Sequence, residues 1–141
     1  MTKTNDQRPC YIRPRPLATL VSENQLQFTA DRANSRSAPE GATAPPTVHV
    51  GSGRLEVLGL IGTSTPCYDL GAAITREGRL LALTITARAQ NVPCIQIPAL
   101  FAYRAAVDGL APDTYQLMVV HAYEGTEWSG GRVLETSVSV P

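Results

Sequence analysis

Few side chains in this sequence could do chemistry. The histidines are His49 and His121, far apart in the chain, and the cysteines are Cys10, Cys67 and Cys94. A zinc-type site needs His, Cys or carboxylate ligands to converge, and it usually shows as a short ligand spacing. No such spacing occurs here. A Cys–His nucleophile would need Cys67 or Cys94 as a free thiol beside His121. Neither a Gly-x-Ser-x-Gly elbow nor a phosphate loop or dinucleotide fingerprint is present. The expectation is therefore no catalytic residue, no cofactor and no metal ligand. Asp69 and Asp108 read as solvated carboxylates on separate strands, and His121 as a polar-face or partly buried strand residue beside Tyr123. One surface feature stands above this background. The Gly-rich stretch 124–131 carries Trp128, the sole Trp, with Tyr123 and Glu127 flanking it. Two readings stay open: a binding loop for a protein or carbohydrate, or a Trp folded back over the open end of the core.

These residues must be positioned by a chain of 141 residues, long enough for one domain with a real core. Formal net charge is zero, and of the 12 basic residues only Lys3 is a lysine. They are spread along the chain, so there is no electrostatic footprint for nucleic acid. No apolar run reaches the roughly 18 residues needed to span a bilayer. Residues 1–46 are rich in proline (Pro9, Pro14, Pro16, Pro39, Pro45, Pro46), and between Asp31 and Pro46 large apolar side chains are almost absent. That segment reads as an irregular or disordered N-terminal region and linker, preceded by a piece, Leu17 to Phe28, that suits either a helical turn or a strand. From Thr47 to Pro141, Val, Ile, Leu and Tyr dominate and turn signals recur. This pattern predicts an all-β fold, a sandwich or barrel of six or seven strands, as the domain proper.

Alternation supports the strands individually. Leu70, Ala72 and Ile74 share one face of a strand, and Leu81, Leu83 and Ile85 share one face of the next. A two-residue loop at Glu77-Gly78 would pair Arg76 with Arg79, Ile74 with Leu81, Ala72 with Leu83 and Leu70 with Ile85. In that register Cys67 lies opposite Arg88, and Cys94 follows six residues later, after a turn that Pro93 enforces. Such a turn brings Cys94 back beside Cys67, within the separation a disulfide requires. The alternative is two small buried thiols. A Cys67–Cys94 bridge would place the domain in an oxidising compartment.

The stretch Gly109-Leu110-Ala111-Pro112-Asp113-Thr114-Tyr115-Gln116-Leu117 resembles the Gly-Leu-x-Pro-Gly-Thr-Tyr-x-Val segment of bacterial immunoglobulin-like and fibronectin type III-like domains. Asp113 stands where that segment has Gly, a substitution a turn tolerates. With Thr65–Leu70 and Cys94–Gln96, it is similar to small uncharacterised domains of bacterial envelope proteins. The resemblance implies an immunoglobulin-like antiparallel sandwich, with Tyr115 as a structural corner whose hydroxyl bonds back to nearby backbone. It implies little about activity, because this fold hosts many functions.

The N-terminus fits an exported protein imperfectly, since residues 1–10 offer no apolar h-region. A misplaced start, a removed signal and an internal location are all compatible with it. Cys10 lies outside the predicted domain, as an incidental thiol or an intermolecular bridge. Taken together, the expectation is a non-catalytic extracytoplasmic β-sandwich module, structural or protein-binding. The alternatives are a ligand-binding or inhibitory domain using the Trp128 loop, and a small metal-binding protein or enzyme.

Overall fold

The computed structural model describes residues 25–33 and 45–141, together with the backbone of Thr19 and Leu20. Cys10 and most of the Pro-rich N-terminal reading lie outside the described residues. Among the described residues nine strands follow in order: β1 (Thr19–Leu20), β2 (Leu26–Arg32), β3 (Thr47–Gly51), β4 (Arg54–Thr63), β5 (Tyr68–Glu77), β6 (Leu80–Ala89), β7 (Ala99–Asp108), β8 (Asp113–Glu124) and β9 (Gly131–Val140). They form two sheets, ordered β1-β5-β6-β8-β9 and β2-β7-β4-β3, and the fold is an all-β sandwich. Among the described residues there is no helix, and hence none long and apolar enough to cross a membrane.

The core is the sum of the inward faces. Leu55, Val57 and Ile61 of β4 and Phe101, Tyr103, Ala105 and Val107 of β7 meet Ile74 of β5, Leu81, Leu83 and Ile85 of β6, and Tyr115, Leu117 and Val119 of β8. Full burial of a large aliphatic or aromatic side chain contributes about 1.5–3 kcal/mol. This interdigitated layer therefore carries most of the favourable free energy, and β-branched and aromatic residues suit its pleated surface.

Three features depart from the sequence reading. First, the sandwich begins ahead of residue 47. Leu26–Arg32 pairs along β7 from Leu26↔Val107 to Arg32↔Phe101, with Leu26, Phe28 and Ala30 packed on the core. A short alternating strand next to a Pro-rich stretch carries too weak a periodic signal to separate from a linker.

Second, the β5–β6 hairpin is offset by two residues. Glu77 pairs with Leu80, Arg76 with Leu81, Ile74 with Leu83 and Ala72 with Ile85, so the loop is Gly78-Arg79. Gly78 adopts φ +63°, and Arg76 Nε donates to its carbonyl. A shift of two preserves both faces of a strand, so the apolar pattern fits either register. Cys67 consequently lies opposite Gln90, whose N–H donates to the Cys67 carbonyl at 3.0 Å, and not opposite Arg88.

Within Thr47–Pro141 the strands number seven, β3–β9, in line with the six or seven expected there. Third, one pairing is parallel: β6 and β8 run side by side from Leu80↔Gln116 to Arg88↔Glu124. After β6 the chain crosses to the other sheet as β7 and returns in the original direction as β8, which makes the pair parallel. β7 starts only at Ala99, so Ile95–Pro98 belong to the crossing.

Candidate functional site

Two places bring together groups of chemical interest. One is sealed inside the sandwich. Tyr103 on β7 and His121 on β8 face each other across the sheets and share a 2.7 Å hydrogen bond between Oη and Nε2. Their rings meet edge to face at 5.5 Å, with Phe28 on the other side of Tyr103 at 6.2 Å. Gly59, opposite Tyr103 on β4, gives the phenol its room, because a Cβ there would stand 2.4 Å from Oη. Burial holds the His121 imidazole down at about 4 and raises the Tyr103 phenol above its ordinary range. His121 is only 7% exposed. A neutral imidazole and a neutral phenol that satisfy each other inside an apolar layer specify how the sheets stack. They are closed to substrate.

The other place is one end of the sandwich. Three connections meet there: Ser64–Cys67 between β4 and β5, Gln90–Pro98 between β6 and β7, and Gly125–Gly130 between β8 and β9. Tyr68↔Ala89, Thr63↔Ala99 and Arg88↔Glu124 show that these strand ends lie together. Cys67 and Cys94 are joined as a disulfide with Cα atoms 6.2 Å apart. The crossing is thus tied at Gln90 and Cys94 to Cys67, and again at Ala99 to Thr63. The four-residue arch beneath it is braced from within. Thr63 Oγ1 donates to the Thr65 carbonyl, the Cys67 N–H donates to Thr65 Oγ1, and Ser64 shares a hydrogen bond with the Tyr68 hydroxyl.

On this braced base, Val92, Ile95 and Ile97 stand 52%, 61% and 47% exposed. Large aliphatic side chains held this far into water on a covalently tethered loop are the outstanding surface feature among the described residues. Beside them, Tyr123 donates its hydroxyl to the Gly62 carbonyl at 2.6 Å, and its ring meets that of Trp128 edge to face with centroids 5.9 Å apart. The Trp128 N–H turns in to Thr126 Oγ1, leaving Trp128 half-buried and Glu127 exposed. Gly125 takes φ +74°, and a Cβ there would meet Ala89 at 3.4 Å, while Gly130 lies so close to the His121 carbonyl that a side chain has no space.

The remaining candidates scatter. His49 is exposed on β3, away from His121 in the core. Asp108 pairs with Arg54 at 2.7 Å, and Asp69 accepts from Gln90 Nε2 at 2.9 Å, so both carboxylates have partners. Glu56 bridges Arg54 and Arg104 on the outer face of β4 and β7. Among the described residues, no group of three or more His, Cys, Asp or Glu side chains gathers as a metal site. Tyr115, fully buried, donates its hydroxyl to the Ala111 carbonyl at 2.7 Å, and the Arg76 guanidinium lies 5.3 Å over its ring.

The exposed aliphatic loop was missed by reasoning centred on Trp128. Its signal is the absence of any charge from Ala89 to Tyr103, interrupted by Pro93 and Pro98. Compared with known proteins, the chain matches no family model, no curated protein and no solved structure.

Proposed function

We propose that this protein is a non-catalytic binding module of an oxidising, extracytoplasmic compartment, and that it engages a partner protein through the end formed by Gln90–Pro98 and the Trp128 loop. The single observation that carries this reading is the exposure of Val92, Ile95 and Ile97 on a crossing tied down by Cys67–Cys94. Exposed aliphatics raise the tendency to aggregate unless a partner covers them. A rigid mount lowers the ordering entropy lost when it does. The disulfide supports the compartment, since such bridges persist outside reducing cytosol.

The immunoglobulin-like kinship is supported by the Tyr115 corner. The parallel β6–β8 pair stands against it, because that fold is built of antiparallel sheets.

The test replaces residue 95, or residue 137 on the outer face of β9, with a photo-crosslinking amino acid in the oxidised chain within its own host. The expected result is one protein captured from position 95 and not from 137. Purified, that protein binds the wild-type chain, and the double variant Ile95→Asp/Ile97→Asp weakens binding by about tenfold or more. Capture with equal yield from both positions, or unchanged affinity in the double variant, overturns the reading.

A further inference from the structure

Resting on the reading of this end as a protein-binding surface, we propose that Cys94–Pro98 is presented as a substrate-like segment to the cleft of an endoprotease, with Ile95 in an aliphatic primary pocket, and that the module inhibits that protease. An endoprotease cleft takes an extended peptide by strand-like main-chain hydrogen bonds and seats alternate side chains in pockets. The crossing has the matching properties. From Pro93 to Pro98 the backbone neither turns nor joins a ladder. Ile97, preceding Pro98, is sterically confined to extended conformations, as is Val92 before Pro93. Among the described residues, no backbone hydrogen bond engages Ile95, Gln96 or Ile97, so their N–H and C=O groups are open to a partner. Within the loop, Gln96 Nε2 donates to the Cys94 carbonyl at 3.1 Å, bracing the residue before Ile95.

Both sides of the Ile95–Gln96 bond are anchored. Cys94 is held to Cys67 by the disulfide, and Ala99 onward is held to β4 by the ladder. Hydrolysis, which adds one water across that bond, leaves the new carboxylate and amine tethered near each other. Product release is then disfavoured, and the segment behaves as an inhibitor in place of a substrate. Two bonds further on, Ile97–Pro98 is a poor site for cleavage, because the proline nitrogen carries no N–H and its ring crowds the scissile amide. A lipid surface fits less well, because no Lys or Arg lies between Arg88 and Arg104 to meet an anionic headgroup.

The test uses the full oxidised chain against an elastase-type serine protease, which accepts small aliphatic side chains, and a trypsin-type protease, each with a chromogenic peptide. Wild type is expected to inhibit the elastase type and spare the trypsin type. Ile95→Lys, at an exposed site where folding is insensitive to the change, is expected to lose about a hundredfold against the first and to gain inhibition of the second. Three results overturn the proposal: no inhibition of the elastase type, cleavage as fast as that of a linear Val-Pro-Cys-Ile-Gln-Ile-Pro peptide, or equal inhibition by wild type and Ile95→Lys. Sedimentation with phosphatidylcholine–phosphatidylserine vesicles, in the absence of inhibition, also overturns it and reassigns the loop to membranes. A partner captured at position 95 that is not a protease removes this inference alone and leaves the binding reading standing.

Discussion

Tyr103, His121 and Gly59 form a unit that only the stacked sheets create. Tyr103 and His121 lie on strands of different sheets, and Gly59 is the cross-strand partner whose missing side chain lets the phenol lean over β4. Gly59→Ala would push a methyl into the phenol ring and break the hydrogen bond to His121. Overpacking of this kind costs about 1–3 kcal/mol, and chemical denaturation should show a lowered midpoint with an unchanged slope. The imidazole adds a pH dependence with a definite sign. Its value in the fold is held at about 4 by burial, against 6.5 when exposed. The unfolded chain therefore takes up the proton first as acid is added. The stabilising contribution is intact above about pH 6.5 and is lost as pH falls toward 4, by an amount on the order of 3 kcal/mol. Comparing wild type with His121→Gln by urea unfolding at pH 7, 5.5 and 4.5 isolates this contribution. The stability difference between the two proteins should shift toward the variant on acidification, and a pH-independent difference would refute the assignment. None of this unit was legible in sequence. His121 fitted a polar face as well as a core face, and nothing in one dimension tells which side chain a residue meets across a sandwich.

At the scale of elements, apolar alternation determines which face a residue occupies but leaves register open by multiples of two. The β5–β6 hairpin shows the ambiguity directly, since Ile74 keeps to the core whether it opposes Leu81 or Leu83. The deciding interactions lie outside the strands. Arg79, in the loop, offers its carbonyl to the Gln116 N–H at 2.8 Å and its guanidinium to Asp113 at 3.2 Å. Those partners come from β8, a strand paired to β6 by a parallel crossover that local pattern does not reveal. The observed turn makes its own demand on residue 78. Gly78→Ala introduces no close contact, since nothing lies within 4 Å of the new methyl, but it forces an L-residue into φ +63°. That strain is worth about 1–2 kcal/mol. Asn at the same position should recover part of it, because Asn tolerates the left-handed region. Thermal unfolding of the two variants should rank wild type, Asn, Ala. Gly130→Ala is a different case, because its methyl would fall 1.8 Å from the His121 carbonyl oxygen. The β8–β9 connection must then move as a whole, so its destabilisation should exceed that of Gly78→Ala and disturb the Trp128 fluorescence.

Across the whole molecule the two ends are built differently. At one end consecutive strands are joined by short turns with glycine in left-handed conformations at Gly53, Gly78 and Gly109, tied by backbone bonds such as Leu110 N–H to the Gly53 carbonyl. At the other, the longer crossing Gln90–Pro98 is held by a covalent bridge and exposes aliphatic side chains. The Cys67–Cys94 bridge was legible because even a register wrong by two still brings Cys94 back toward Cys67. The loop it holds was not, because its Ile residues mimic a strand. The bridge encloses the whole β5–β6 hairpin, with a sequence separation of 27. The chain-entropy relation then gives about 3–4 kcal/mol of stabilisation. The hairpin ladder constrains the same residues only in the folded state, so this contribution belongs to the unfolded ensemble and should survive as a global loss when the bridge is removed. Cys67→Ala/Cys94→Ala should therefore lower global stability by about that amount. Hydrogen exchange adds a local signature: the amides of Asn91 to Ile97 should lose what protection they have, while β6 and β8, paired on both sides, keep the slowest exchange and follow the global change. If exchange in β6 and β8 accelerates far more than the global destabilisation requires, the bridge is holding the sheets together. If it tracks that change while the crossing alone becomes free, the bridge serves chiefly to fix the exposed loop, as presentation of Ile95 to a partner demands.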